Sequence, residues 1–176
     1  MAVDGVQPTL PRGPESGLQA LEMAENPETF RTAFPLPDLA ATDRLGGAIA
    51  DGLVAGDAVA LWGDLGAGKT TLARAILQKL GVAEDVPSPT FTIVQSYDTP
   101  RLAVSHYDLY RLKNPREMDE LGFDDALDQG AALVEWPERA PERLPPDTLH
   151  VRLSLDDGER LARLTGPARW QKVLHD

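Results

Sequence analysis

Residues 63–71 read Gly-Asp-Leu-Gly-Ala-Gly-Lys-Thr-Thr and follow the apolar run Ala58-Val-Ala-Leu-Trp62. The nonapeptide fits the phosphate-cradling pattern G-x-x-x-x-G-K-[ST], with Gly63, Gly68, Lys69 and Thr70 at the fixed positions. Such a loop needs a buried strand before it and a helix after it. Ala58 to Trp62 has the composition of a short buried strand, and residues 71–80 place Leu72, Ile76, Leu77 and Leu80 on one helical face. Glycines remove the side chains that would hold backbone N–H groups away from phosphate oxygens, and the helix N-terminus adds its own attraction for an anion. Gly63, Asp64, Leu65, Gly66, Ala67, Gly68, Lys69, Thr70 and Thr71 are therefore the candidate nucleotide-binding set. Lys69 would reach the β- and γ-phosphates, and the Thr70 hydroxyl would bind Mg²⁺.

The flanking chain supports one domain around this loop. With 176 residues, 42% hydrophobic and 26% charged, the sequence suffices for one α/β domain of ordinary size. It has no cysteine, which excludes disulfides and thiolate metal sites. No stretch approaches 18 apolar residues, and the first residues lack a basic segment followed by an apolar one, so no membrane association and a cytoplasmic location are expected. The net charge of −11 repels a polyanion, and the 17 basic residues are scattered among acids. Any role on nucleic acid is thus expected to be indirect, through a partner.

Residues 1–34 carry Pro8, Pro11, Gly13, Pro14, Gly17 and Pro27 without sustained periodicity and read as a flexible N-terminal extension, leaving 35–176 as the folded domain. From Asp38 onward Leu45, Ala48, Ile49 and Leu53 define an amphipathic helix, despite Gly46, Gly47 and Gly52. Residues 87–97 and 102–108, separated by Asp98-Thr-Pro-Arg101, read as an antiparallel hairpin. Asn114-Pro115 is a helix start, and the helical stretch to Gly130 is broken at Gly122. Residues 131–134 form a short apolar strand ending at Glu135. Residues 148–155 and 160–164 flank the turn Asp156-Asp-Gly-Glu159, and 169–175 closes as a short helix. Two hairpins cannot belong to an all-parallel sheet, so the predicted fold is a single α/β, P-loop NTPase-like domain with a mixed sheet flanked by helices.

Acids at the ends of apolar strands lie where open α/β sheets bind ligands, which makes Asp108 and Glu135 candidates for holding Mg²⁺ or orienting water. Read from spacing alone, either is equally a solvated strand-end acid. His106 shares a strand face with Asp108 and is expected to orient that acid or to pack internally. Trp62 and Trp136 read as packing residues rather than base-stacking ones. The acids Glu117, Asp119, Glu120, Asp124, Asp125 and Asp128 read as a solvated helix face or a contact surface for a basic partner. The Ser88/Thr90/Thr92 cluster reads either as turn and strand chemistry or as a mobile loop that senses a γ-phosphate.

The chain also carries, in order, Ser88-Pro-Thr-Phe-Thr-Ile-Val94, His106-Tyr-Asp-Leu-Tyr-Arg-Leu112, Leu121-Gly-Phe-Asp-Asp125 and Leu133-Val-Glu-Trp-Pro-Glu138. Together with the phosphate loop these resemble the TsaE family, bacterial P-loop ATPases required for threonylcarbamoyl modification of the tRNA adenosine beside the anticodon. The resemblance runs from about residue 34 to about residue 164. It implies that Lys69 binds ATP phosphate, that Thr70 and Glu135 hold Mg²⁺, and that Asp108 is the acid needed for hydrolysis. It further implies that Ser88 to Thr92 is a switch loop, that Gly158 is a nucleotide-contacting position, and that the protein works in a complex with TsaB and TsaD. Gln95-Ser96 stands where the family often has Asn-Glu, and residues 1–34 have no family counterpart. Two other classes fit the loop alone, a small-molecule kinase and a nucleotide-dependent interaction protein. No Arg-rich lid insertion, as such a kinase needs, is found.

Overall fold

The computed structural model describes residues 29–175. Seven strands form one sheet in the order β1-β7-β6-β2-β5-β4-β3. These are β1 (Thr29–Pro35), β2 (Ala58–Trp62), β3 (Val94–Asp98), β4 (Ala103–Asp108), β5 (Gly130–Glu135), β6 (Leu149–Asp156) and β7 (Glu159–Pro167). The central strands β6, β2, β5 and β4 run parallel, whereas the β1–β7, β6–β7 and β3–β4 pairs are antiparallel. The mixed sheet expected from the two hairpins is thus the one observed.

Period-2 alternation lets the central strands bury both faces. On β5, Ala131 and Leu133 enter one core with α1 (Leu39–Gly52), α2 (Lys69–Leu80) and α5 (Arg169–His175), while Ala132 and Val134 enter a second. That second core contains Met118 of α3 (Glu117–Glu120) and Phe123 of α4 (Phe123–Gln129), divided by Gly122. The break read at Gly122 is therefore present. Asn114 and Glu117 form a reciprocal cap: the Asn114 side chain accepts from the Arg116 N–H at 3.0 Å, and the Glu117 carboxylate accepts from the Asn114 N–H at 2.9 Å. Among the described residues no helix is long and apolar enough to cross a membrane.

The N-terminal boundary needs correction. Thr29–Phe34, expected in the extension, belong to β1, which pairs antiparallel with β7 from Thr29↔Pro167 to Pro35↔Leu161. An edge strand that buries only Phe30 fully leaves little periodicity to read. Residues 1–28 of the expected extension lie outside the described residues.

The glycines of α1 follow from its packing. A Cβ on Gly46 would sit 2.6 Å from the Ala75 Cβ of α2, and one on Gly52 would sit 2.8 Å from the Trp170 ring of α5. A Cβ on Gly47 would meet nothing closer than the Lys79 side chain at 3.9 Å. Helix propensity is thus traded for close helix approach at Gly46 and not at Gly47. Gly46→Ala is expected to destabilise the fold by about 1–3 kcal/mol through overpacking. Gly47→Ala is expected to be neutral or to stabilise by up to about 1 kcal/mol. Urea-unfolding midpoints check the pair, and equal shifts would contradict the packing described.

Candidate nucleotide-binding site

Strand register assembles the site. Leu61 of β2 pairs with Glu135 of β5, and Glu135 pairs with Asp108 of β4, so three parallel strands end at one level. The loop of residues 63–68 leaves β2 at that level and opens α2. Gly68 occupies the N-cap position at φ 108°, where a side chain would be strained. A Cβ on Gly63, at φ 144°, would lie 2.6 Å from the Leu153 carbonyl of β6. Both fixed glycines are therefore demanded by the backbone.

Lys69 is almost fully buried at the first position of α2. Its ammonium donates to the carbonyls of Gly63 and Asp64, the latter at 2.9 Å, and lies 3.9 Å from the centre of the Trp136 ring. Burial pushes its pKa below the ordinary lysine range, opposed by the negative charges of Glu135, Glu138, Asp108 and Asp64. Trp136 itself sits in the left-handed region at φ 56°, directly after Glu135, with the Tyr110 ring tilted against it at 4.9 Å. It is thus a cation–π platform for Lys69 rather than only a packing residue. Trp62 donates its indole N–H to His150 Nδ1 at 3.0 Å, and burial, assisted by the Arg152 charge, lowers the His150 pKa.

The Thr70 hydroxyl donates to the Glu135 carboxylate, 2.9 and 3.0 Å from its two oxygens. Glu135 is buried, and its Oε1 also lies 2.8 Å from Nε2 of the fully buried His106. A hydroxyl beside a buried carboxylate is a hard-oxygen pair suited to Mg²⁺, which uses one or two protein oxygens and completes its shell with phosphate and water. The donor set therefore fits the ion. Of the two expectations for His106, internal packing holds and orientation of Asp108 does not: the ring is fully buried, and its partner is Glu135, reached diagonally across the β4–β5 pair.

Asp108 is buried and engages the loop before β3. Its Oδ2 accepts from the hydroxyls of Ser88 at 2.9 Å and Thr90 at 3.1 Å, while Oδ1 accepts from the Tyr110 N–H at 3.0 Å. The Ser88 and Thr90 hydroxyls are 2.8 Å apart. The Asp108 N–H donates to the carbonyl of Ile93, whose φ of 66° is unusual for a β-branched residue and marks strain where the loop enters β3. Thr92 is exposed, and no bond joins it to this group. Gly158 lies at the exposed tip of the β6–β7 hairpin, where nothing stands within 4 Å of a would-be Cβ. The residue of that hairpin that reaches the loop is Arg160, absent from the sequence-derived set: its Nη2 lies 3.4 Å from the Gly66 carbonyl. Asp119, Glu120, Asp124, Asp125 and Asp128 are exposed, as a solvated or partner-facing surface requires.

The sequence model of the TsaE family, described as threonylcarbamoyl adenosine biosynthesis protein TsaE, matches residues 36–163. The chain is 42% identical over 125 residues to the tRNA threonylcarbamoyladenosine biosynthesis protein TsaE of Rickettsia felis, which covers 70% of this chain and 73% of that one. It is 42% identical over 121 residues to the protein of the same description from Bacillus subtilis, covering 68% and 75% respectively. Among solved structures it resembles that of YdiB from Bacillus subtilis, with 30% identity and a TM-score of 0.69 over 82% of this chain and 92% of that one. The P-loop NTPase-like fold is shared with that structure.

Because Asp108 holds Ser88 and Thr90 through one carboxylate, Asp108→Ala is expected to loosen residues 88–92 in nucleotide-free protein. Amide hydrogen exchange there should rise at least severalfold, while exchange in β5 stays as in the parent. Unchanged exchange across the loop would contradict the anchoring role.

Proposed function

The chain belongs to the TsaE family, and from that membership and the geometry of its phosphate loop we propose that it binds Mg-ATP and hydrolyses it in support of threonylcarbamoyl modification of tRNA. The observation that carries this reading is the convergence of Lys69, Thr70, Glu135 and Asp108 at one end of the parallel strands. A metal-binding pair and a separate acid beside a phosphate loop are what in-line displacement at a phosphoryl group requires.

Each side chain has a distinct task. Lys69 leaves the carbonyls of Gly63 and Asp64 and neutralises the β- and γ-phosphates. The loop N–H groups from Asp64 to Thr71 cradle the chain of phosphates. Thr70 and Glu135 are the residues that would hold Mg²⁺, and the bound ion supplies charge neutralisation along the phosphates. His106 fixes the Glu135 carboxylate from behind. Asp108 orients the attacking water, which requires Ser88 and Thr90 to release its Oδ2. The loop of residues 88–92 therefore switches between holding Asp108 and meeting the γ-phosphate, and the strain at Ile93 helps keep those two states close in energy.

Partners complete the reading. The protein acts in a cytoplasmic complex with TsaB and TsaD, hydrolysing ATP slowly alone and faster when docked, and reaches tRNA only through them. The exposed acids Asp124 and Asp125 follow Asp108 in the chain and form part of the contact surface. Gly158 is retained as a nucleotide-proximal position by resemblance alone.

Lys69→Ala is expected to weaken ATP binding by about tenfold or more, since it deletes a charge-assisted contact to phosphate. Asp108→Asn is expected to keep ATP affinity within about threefold while turnover falls about 100-fold or more. Equilibrium binding and phosphate release separate the two, and full turnover by Asp108→Asn would remove Asp108 from the chemistry. Adding the TsaB–TsaD pair should raise turnover at least severalfold, with charge reversal at Asp124 and Asp125 reducing that gain. A rate indifferent to the pair favours a nucleotide-dependent interaction protein instead.

A further inference from the structure

Arg160 is the second residue after the Asp157-Gly158 turn, and it enters β7 beside the phosphate loop. A Cβ built on Gly68 would stand 3.6 Å from its Nε, 3.7 Å from its Cδ and 3.9 Å from its Cζ. Its Nη2 reaches the Gly66 carbonyl at 3.4 Å, a long contact near the limit of a hydrogen bond. Its Nε is buried and has no hydrogen-bond partner. Arg163, on the same strand, pairs with Asp156 at 3.0 Å. Arg160 has no carboxylate partner among the described residues.

A buried guanidinium N–H without an acceptor is costly, and one laid along backbone that already offers N–H groups to an anion is poised for an acceptor that arrives with ligand. The planar fork of arginine suits phosphate oxygens, which can accept two of its N–H groups together. Lys69 lies against Gly63 and Asp64, so a cation at Gly66 and Gly68 adds charge over a different part of the loop. The backbone holds Arg160 there, since its carbonyl accepts from the Leu36 N–H at 2.8 Å and it pairs with Leu155 across the hairpin.

We propose that Arg160 is a second phosphate-binding cation of this site, contacting the phosphate chain of the nucleotide from the β6–β7 hairpin. The inference rests on the nucleotide-binding reading above and names a residue which that reading does not require. Its structural alternative is a brace on the loop, which would affect stability and leave phosphate affinity unchanged.

The test compares the full-length protein with Arg160→Gln and Arg160→Lys, measuring displacement of a fluorescent ADP analogue by ADP and by inorganic pyrophosphate. Arg160→Gln is expected to weaken both ligands by about tenfold or more, and Arg160→Lys to restore only part of the loss because it lacks the fork. Affinities for both ligands within about twofold of the parent would overturn the proposal. So would a loss for ADP with pyrophosphate unchanged, which places the guanidinium on base or ribose. Should Arg160→Gln fold poorly, the Nε–H resonance of Arg160 in the parent, assigned by its absence from Arg160→Lys, should shift on saturation with pyrophosphate. A resonance that does not move overturns the proposal as well. Parent protein that binds neither ligand overturns the nucleotide-binding reading itself, so the two failures are distinguishable.

Discussion

The in-register parallel pairing of β2, β5 and β4 is the constraint on which the site depends. Because Leu61, Glu135 and Asp108 are neighbours across the sheet, the phosphate loop and two acids from distant parts of the chain emerge at one level. A slip of one residue in the β4–β5 pair would turn Asp108 to the opposite face and separate His106 from Glu135. Both faces of β5 are buried, so such a slip would also send each apolar set into the core shaped for the other. Core packing and site geometry are therefore held by the same register.

Two hydrogen-bonded groups hang from this frame and share no side chain. Thr70, Glu135 and His106 form a buried chain suited to a metal ion, while Asp108, Ser88 and Thr90 tie a flanking loop to the strand end. The separation matters for the proposed chemistry, because metal binding and water orientation can be altered independently. Lys69 belongs to neither group: loop carbonyls accept from its ammonium, which lies over the Trp136 ring.

What could be read from the sequence was what neighbouring residues encode. The strand–loop–helix unit, both hairpins and the break at Gly122 are local patterns and are present, although the strand read from residue 87 begins only at Val94 and the helix read from Asn114-Pro115 begins only at Glu117. Asp108 and Glu135 were legible because acids ending apolar strands are informative by position. The rest is non-local. β1 buries little and depends on β7, more than a hundred residues later. The burial of His106 is legible, but its pairing with Glu135 is not, because alternation tells which face a side chain occupies but not which residue of the next strand stands diagonally across. Trp136 and Arg160 carry no sequence signal for their contacts, since a tight left-handed turn brings the one, and the β6–β7 hairpin packing beside β2 brings the other, to the loop.

The central claim is that Thr70 and Glu135 form the metal site of a bound nucleotide. Mn²⁺ in place of Mg²⁺ makes that site visible by electron paramagnetic resonance. Titrating Mn²⁺ into protein saturated with a non-hydrolysable ATP analogue should show about one tightly held ion per chain, weakened by about tenfold or more in Thr70→Val and in Glu135→Gln. Equal Mn²⁺ affinity in the parent and both variants would contradict the account.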